Sequence, residues 1–496
     1  MVTILKVERT PTRFYPNSAR TITKPFVPGG GEQEDGTSRL DRMLGRVLAL
    51  TDLQVREELQ KTFRRFGGRH RDIGRVLEEG FLGVVHSISD PEELSVERRL
   101  LIGAYFTHEY SIEAAALSNP SAVLALDQSG LPPGSARIVL SLRAIGEGHI
   151  SSIEFRTAIV DGSGGIVVDE PGPYPKTARH RSPIYMKEIF TEKLRELHVL
   201  SEVATAVLAP LSDEFSMADL DAEIERAHQA EDPDAEVARV TRTLHWLAAS
   251  NYESSFEPDS RLSERVLFPA SPTESSGMED ARFVRFVRED GTTTFYATYT
   301  AYDGYEILPQ LIETSDFLNF RIATLNGPCA RNKGIALFPR KVNGRYAALA
   351  RLDNENNYFM TSDDVRFWHD SQIVQRPSRP WELTHIGNCG SPLETEAGWL
   401  VITHGVGPMR QYALGAILLD LSDPSKVIGS LSQPLLEPDE DEREGYVPNV
   451  VYSCGSAIVG ERVILPYGFS DSGTGFATVA LPDLLSELTG PQSACA

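Results

Sequence analysis

Asp280, Asn332, Lys333, Glu394 and Asn449 each precede or open a strand-like run, and Asp303, Arg351, His404 and Asp471 each end the run that follows. Carboxylates in such a set exchange protons, Arg and Lys hold anions, and amides or imidazoles bond hydroxyls. Two carboxylates beside one glycosidic bond are equipment for cleaving it: one protonates the leaving oxygen, and the other activates water unless an incoming anion replaces it. Asp280, in MEDARF, is the acid candidate. Its neighbour Glu279 would point to the opposite face of a strand, so one of the pair is expected in a pocket. An acidic pair alone is usually a surface feature; the repeat that contains this one singles it out.

The repeat has a common plan of a polar motif, an apolar strand, a turn, and a second aromatic or apolar strand that ends in polar residues. Its copies are GMEDARFVRF with TFYATYTAYDG, RNKGIALFPRKVNGRYAALARLDN, GNCGSPLETEAGWLVITHGVG, and YVPNVVYSCGSAIVGERVILPYGFSD. Their second strands begin near Phe295, Tyr346, Trp399 and Val463, a spacing of roughly 50–65 residues that suits propeller blades. The strand pattern ARIVLSLRAIGEGHISSIEFRTAIVDGSGGIVVD supplies one more copy. The expected fold is mainly β, a five-bladed β-propeller with an N-terminal helical region and a helical insertion. The divisions are 1–108 (arm and helical region), 109–182 (first blade), 183–250 (insertion) and 251–496 (remaining blades and tail). Within the arm, residues 1–35 read as extended and GGGEQEDGTS as a flexible acidic linker. Equivalent inner-strand positions of blades approach one axis, where unlike polar groups without water or ligand would be costly. A solvated pocket is therefore expected there.

Composition narrows the partners. Lys+Arg 48 against Asp+Glu 70 gives a formal net charge of -22, which repels nucleic acid and anionic membranes and leaves room for a small basic pocket. Cys329, Cys389, Cys454 and Cys495 form no CxxC pair; buried reduced thiols are expected, not a zinc or disulfide framework. The 11 histidines are dispersed, and HRDIGRV and HISSIEF lack ligand spacing. His149 and His404 are read as satisfied pocket or core histidines, so no metal is expected. GGG at positions 29–31 lacks the Lys-Ser pair of a nucleotide loop, so no cofactor is expected. No run approaches the roughly 18 apolar residues of a membrane helix, and the start lacks a signal-type core; a cytoplasmic location is expected. The helical regions, with the basic cluster Arg64, Arg65, Arg69 and Arg71, offer contacts for a homo-oligomer or a solvated face.

GMEDARFVRF, FYATYTAYDG, NKGIALFPRKVNGRYAALARLDN, GSPLETEAGWLVITHGVG, GYVPNVVYSCG and ILPYGFSDSGTGFATVAL together resemble glycoside hydrolase family 130. The family comprises inverting β-mannoside phosphorylases and some β-mannosidases on a five-bladed propeller, and the resemblance covers roughly residues 109–485. It implies that Asp280 is the general acid, acting through a sugar hydroxyl. It implies sugar contacts at Asn119, Arg143, Asp303 and Asp471, although Asn119 also suits a turn with Pro120. It implies phosphate contacts at Arg331, Asn332, Lys333 and Arg351, with His404 beside them as a further substrate contact. Inorganic phosphate would then be a co-substrate.

Hydrolysis and phosphorolysis remain in competition. Glu394 stands where phosphorylases of the family carry Lys or Arg; a carboxylate there would repel phosphate and provide a base for water. Hydrolysis of β-1,2- or β-1,4-linked manno-oligosaccharides is the leading expectation, with Asp280 as acid, Glu394 as base and Glu444 as alternate base. Inversion predicts acid and base carboxyls roughly 6.5–9.5 Å apart. The run EPDEDEREGYVPN also holds Glu437 and Glu442, and a solvated acidic loop is its plainer reading. The alternative is transfer of mannose to phosphate, with Glu394 salt-bridged to Arg351. A third reading is a non-catalytic glycan-binding propeller.

Overall fold

The computed structural model describes residues 5–29, 38–229 and 235–490. It is mainly β, and most of its strands form five successive antiparallel meanders. The first is Ala116–Leu124, Ala136–Ile145, Ser151–Val160 and Ile166–Val168. The second is Gly277–Val287, Thr293–Tyr302, Ile307–Thr314 and Asn319–Thr324. The third is Lys333–Leu337, Tyr346–Arg351, Asn357–Ser362 and Asp370–Gln375. In the fourth, His385–Asn388 and Leu393–Thr395 both pair with Gly398–Val406, followed by Tyr412–Leu419 and Val427–Ser430. In the fifth, Val451–Tyr452 and Ala457–Val459 both pair with Arg462–Phe469, followed by Gly473–Ala480.

The fourth strand of the last meander comes from the other end of the chain: Val7–Phe14 pairs with Gly473–Ala480. The arm expected over residues 1–35 is thus divided. Residues up to Pro16 cluster with the strand-rich unit, whereas Asn17–Ala114 and Gly172–Lys176 form a second unit. That unit holds the helices Arg39–Leu48, Asp52–Phe66, Ile73–Leu82 and Val96–Tyr105, and the hairpin Thr21–Pro25 with Thr107–Ser111. Ser38 and Thr51 begin their helices with capping boxes, which satisfy end N–H groups that lack helical partners. Leu44, Val47, Val55, Phe81, Leu101 and Ile102 form its core. The segment expected as a helical insertion contains Lys187–Glu196, Glu202–Leu208, Met217–His228 and Ala235–Ala249, packed on Leu194, Val207, Leu220 and Leu244. Most of the GGGEQEDGTS linker and Cys495 lie outside the described residues.

Gly398–Val406 and Tyr412–Leu419 are mostly apolar and almost wholly buried, so both faces pack on neighbours. Asn343 and Gly344 both take left-handed backbone, φ 52° and 79°. This is the two-residue turn that matches strand twist and admits Asn-Gly. Among the described residues, no helix is long and apolar enough to cross a membrane.

Candidate active site

The first strand of each meander is interrupted at a corresponding point. Pairing shifts between Ser118 and Ser121, between Glu279 and Arg282, and between Lys333 and Ala336. In the last two meanders the first strand splits into two short segments. Left-handed residues sit at four of these breaks: Asn119 (φ 51°), Asp280 (φ 55°), Gly334 (φ 83°) and Gly390 (φ 105°). Asn and Asp tolerate this backbone better than other residues with a Cβ. An extra residue in a strand also bends it and re-aims its side chains.

This break overturns the expectation that one residue of the acidic pair faces a pocket. Both reach Arg143: its Nη2 donates to Glu279 Oε1 at 2.7 Å, and its Nη1 lies 3.9 Å from Asp280 Oδ1. Lys333 Nζ donates to the other oxygen of Glu279 at 2.8 Å. Asn119 Nδ2 donates to Asp280 Oδ1 at 2.7 Å. Arg282, two residues beyond Asp280, is buried and donates to the Tyr452 hydroxyl at 2.6 Å. Lys333 is directly opposite Arg351 in the third meander, and Arg351 Nη1 lies 3.4 Å from His404 Nε2. Asp471 completes the cluster on the turn between the strands Arg462–Phe469 and Gly473–Ala480, with left-handed φ at both Ser470 and Asp471.

The charges perturb one another. Burial would raise the Asp280 carboxyl, but Arg143, Arg282 and Lys333, with the Asn119 hydrogen bond, hold it below the usual aspartate value. Asp471 is held above that value by burial, which Arg143 opposes and Asp280 and Glu279 reinforce. Carboxylates pushed in opposite directions are a mark of proton-transfer sites. Burial, then the neighbouring Arg351, drives His404 well below the usual imidazole value, so it is neutral and its Nε2 can accept from Arg351. Cys389 and Cys454 are free, and burial raises both thiols; neither is a thiolate nucleophile. Among the described residues, no group of three His, Cys, Asp or Glu side chains gathers to hold a metal.

Other candidates lie elsewhere. Glu394 pairs with Arg340, at 2.6 and 2.9 Å, and the guanidinium of Arg340 covers the Trp399 ring. Glu394 is opposite Trp399 in the hairpin, five positions along that strand from His404. At about 3.3 Å per residue this places it roughly 16 Å along the strand from His404, at the end of the hairpin away from the cluster. The expected Glu394–Arg351 pair is not formed either. Glu444 is exposed and outside the hydrogen-bonded cluster. Glu442 is buried against Arg9, Arg13 and Tyr467. Asp303 accepts from the backbone N–H groups of Tyr305 and Glu306 and so shapes its own turn. Arg331 is exposed near Tyr358. Asn332 donates to the Leu352 carbonyl and accepts from Asn354. The cluster thus unites Asn119, Arg143, Asp280, Lys333, Arg351, His404 and Asp471, and adds Glu279, Arg282 and Tyr452.

A buried acid beside an amide and several cations is a set of groups able to hold an anion and move a proton. Residues 250–489 match the family model described as beta-1,4-mannooligosaccharide phosphorylase. The 1,2-beta-oligomannan phosphorylase of Thermoanaerobacter sp. (strain X514) is 36% identical over 233 residues, covering 45% of this chain and 75% of that protein. The beta-1,2-mannobiose phosphorylase of Listeria innocua is 30% identical over 230 residues, covering 45% of this chain and 63% of that protein. A solved complex of the Listeria innocua beta-1,2-mannobiose phosphorylase with beta-1,2-mannobiose aligns with a TM-score of 0.45 and 21% identity, over 76% of this chain and 93% of that one. The chain belongs to glycoside hydrolase family 130, and is an enzyme of that family.

Proposed function

We propose that the protein is a β-mannoside phosphorylase, which moves a mannosyl unit from a β-1,2- or β-1,4-linked manno-oligosaccharide to inorganic phosphate. The five meanders support reading the fold as a five-bladed propeller with this cluster at its centre. The observation that carries the proposal is the balance of charge around Asp280. Arg143, Arg282, Lys333 and Arg351 outnumber Glu279, Asp280 and Asp471, although the chain carries -22 overall. Such a site favours an anion. The hydrolytic reading needs a base, and of its two candidates Glu394 is held by the Arg340 ion pair and Glu444 is exposed outside the cluster. The phosphorylase names of the Thermoanaerobacter and Listeria relatives support the same choice.

In the proposed step a phosphate oxygen attacks the anomeric carbon from the face opposite the leaving sugar. The glycosidic C–O bond breaks, and the proton of Asp280 reaches the departing oxygen through a sugar hydroxyl. The products are α-mannose 1-phosphate and the shortened saccharide. Unliganded, the surrounding cations favour ionised Asp280. A bound phosphate anion offsets those cations and raises the Asp280 carboxyl, so the nucleophile's arrival favours the protonated acid.

Arg351→Met tests the anion assignment. The Michaelis constant for phosphate is expected to rise about tenfold or more, as for loss of one charge-assisted hydrogen bond, with a smaller effect on that for the saccharide. Equal effects on both constants would remove Arg351 from the phosphate site.

A further inference from the structure

The loop between Ala136–Ile145 and Ser151–Val160 follows Arg143 directly, and carries His149 with left-handed backbone, φ 61°. A second loop, 443–449, runs beside the turn that presents Asp471. Val447 N donates to the Ser470 carbonyl, and a Cβ on Gly445 would strike Ser470 and Ser472. Tyr446 lies between these two anchored residues. Its ring stacks on His149, with centroids 5.5 Å apart and planes 22° from parallel, and the residue remains 59% exposed. The stack therefore joins the loop beside Arg143 to the loop beside Asp471.

We propose that the His149–Tyr446 stack is the platform for the sugar on the leaving side of the scissile bond. This residue-level assignment rests on the reading of the site as a β-mannoside site. A pyranose has an apolar C–H face, which packs against the electron-rich face of an aromatic ring. His149 covers one face of Tyr446 and fixes its tilt, leaving the other for the saccharide. Backbone strain at His149 fits this role, since left-handed backbone at a residue with a Cβ persists where the surroundings impose it. The platform discriminates a disaccharide from a single mannose, because only the disaccharide extends beyond the Asp280 cluster to the rim.

The test is calorimetric titration, without phosphate, of Asp280→Asn, whose turnover is expected to be strongly slowed, and of the same protein carrying Tyr446→Ala. Affinity for β-1,2-mannobiose or β-1,4-mannobiose is expected to fall about tenfold, while affinity for mannose stays within about twofold. Tyr446→Phe, which keeps the ring, is expected to bind the disaccharide like its parent. His149→Ala, which frees the tilt, should weaken the disaccharide selectively. Unchanged disaccharide affinity in Tyr446→Ala, or parallel losses for mannose and disaccharide, would overturn the proposal. A wild-type enzyme that splits mannobiose without phosphate would remove the phosphorylase reading, yet these affinities would still decide the platform.

Discussion

Replacing Asp280 with Asn should lower kcat by about 10²–10⁴-fold, the range for loss of a positioned general acid. The substitution keeps an oxygen for Asn119 Nδ2 to donate to and preserves side-chain volume at a strained backbone position, φ 55°. Folding should therefore survive, and the thermal transition should stay close to wild type. The loss should fall on kcat more than on saccharide affinity, because the proton is needed as the glycosidic bond breaks. Steady-state kinetics of the purified variant check this. A variant retaining half of the wild-type kcat would mean that another group supplies the proton, and Asp471, held above the usual carboxyl value, would become the acid to examine.

The second large effect concerns stability. Glu442 is fully buried and accepts from Arg9 at 3.0 Å, Arg13 at 2.9 Å and the Tyr467 hydroxyl at 2.6 Å. Its backbone carbonyl accepts from Ser470 Oγ, the residue before Asp471. This one carboxylate thus ties the N-terminal strand to the strand that leads into the site. Removing one partner of a buried ionic cluster leaves the others uncompensated, so Glu442→Gln should cost about 3–5 kcal/mol, read as a lower urea midpoint. Burial would raise the Glu442 carboxyl, but the bonds from Arg9 and Tyr467 outweigh it and hold it below the ordinary glutamate value of 4.5. The stabilisation is therefore complete above that value and is lost as pH falls through the lower folded value. The gap between wild type and variant should be widest near neutrality and should close in acid. A gap independent of pH would show that Glu442 acts through packing rather than charge.

These two acids also show what the sequence carries. Asp280 stands out because MED opens a strand rich in apolar residues, and its counterparts in other repeats are equally polar. The rule of alternating faces turns Glu279 away from the pocket, and that rule fails at a bulge. The warning was present in the corresponding strands, where Asn119-Pro120, Gly334 and Gly390 place turn-forming residues within a strand. Glu394 occupies a comparable place in its repeat, but lies at the far end of a hairpin, where Arg340 is the nearest cation. Sequence spacing does not distinguish the two ends of a strand pair. Arg282 and Tyr452 look like ordinary strand residues, and their meeting depends on two separate meanders. The role of VERTPTRF was hidden because its pairing partner lies at the opposite end of the chain. The helical segments are legible because capping residues and apolar spacing are local signals.

In the proposed reaction the cations around Asp280 hold a phosphate that takes the mannosyl group. The most direct measurement is ³¹P and ¹H NMR of the wild-type enzyme with β-1,2-mannobiose, run with and without inorganic phosphate. Accumulation of α-mannose 1-phosphate, with no cleavage when phosphate is omitted, is the predicted result. Release of free mannose at the same rate in both samples, with no phosphorylated sugar, would contradict it.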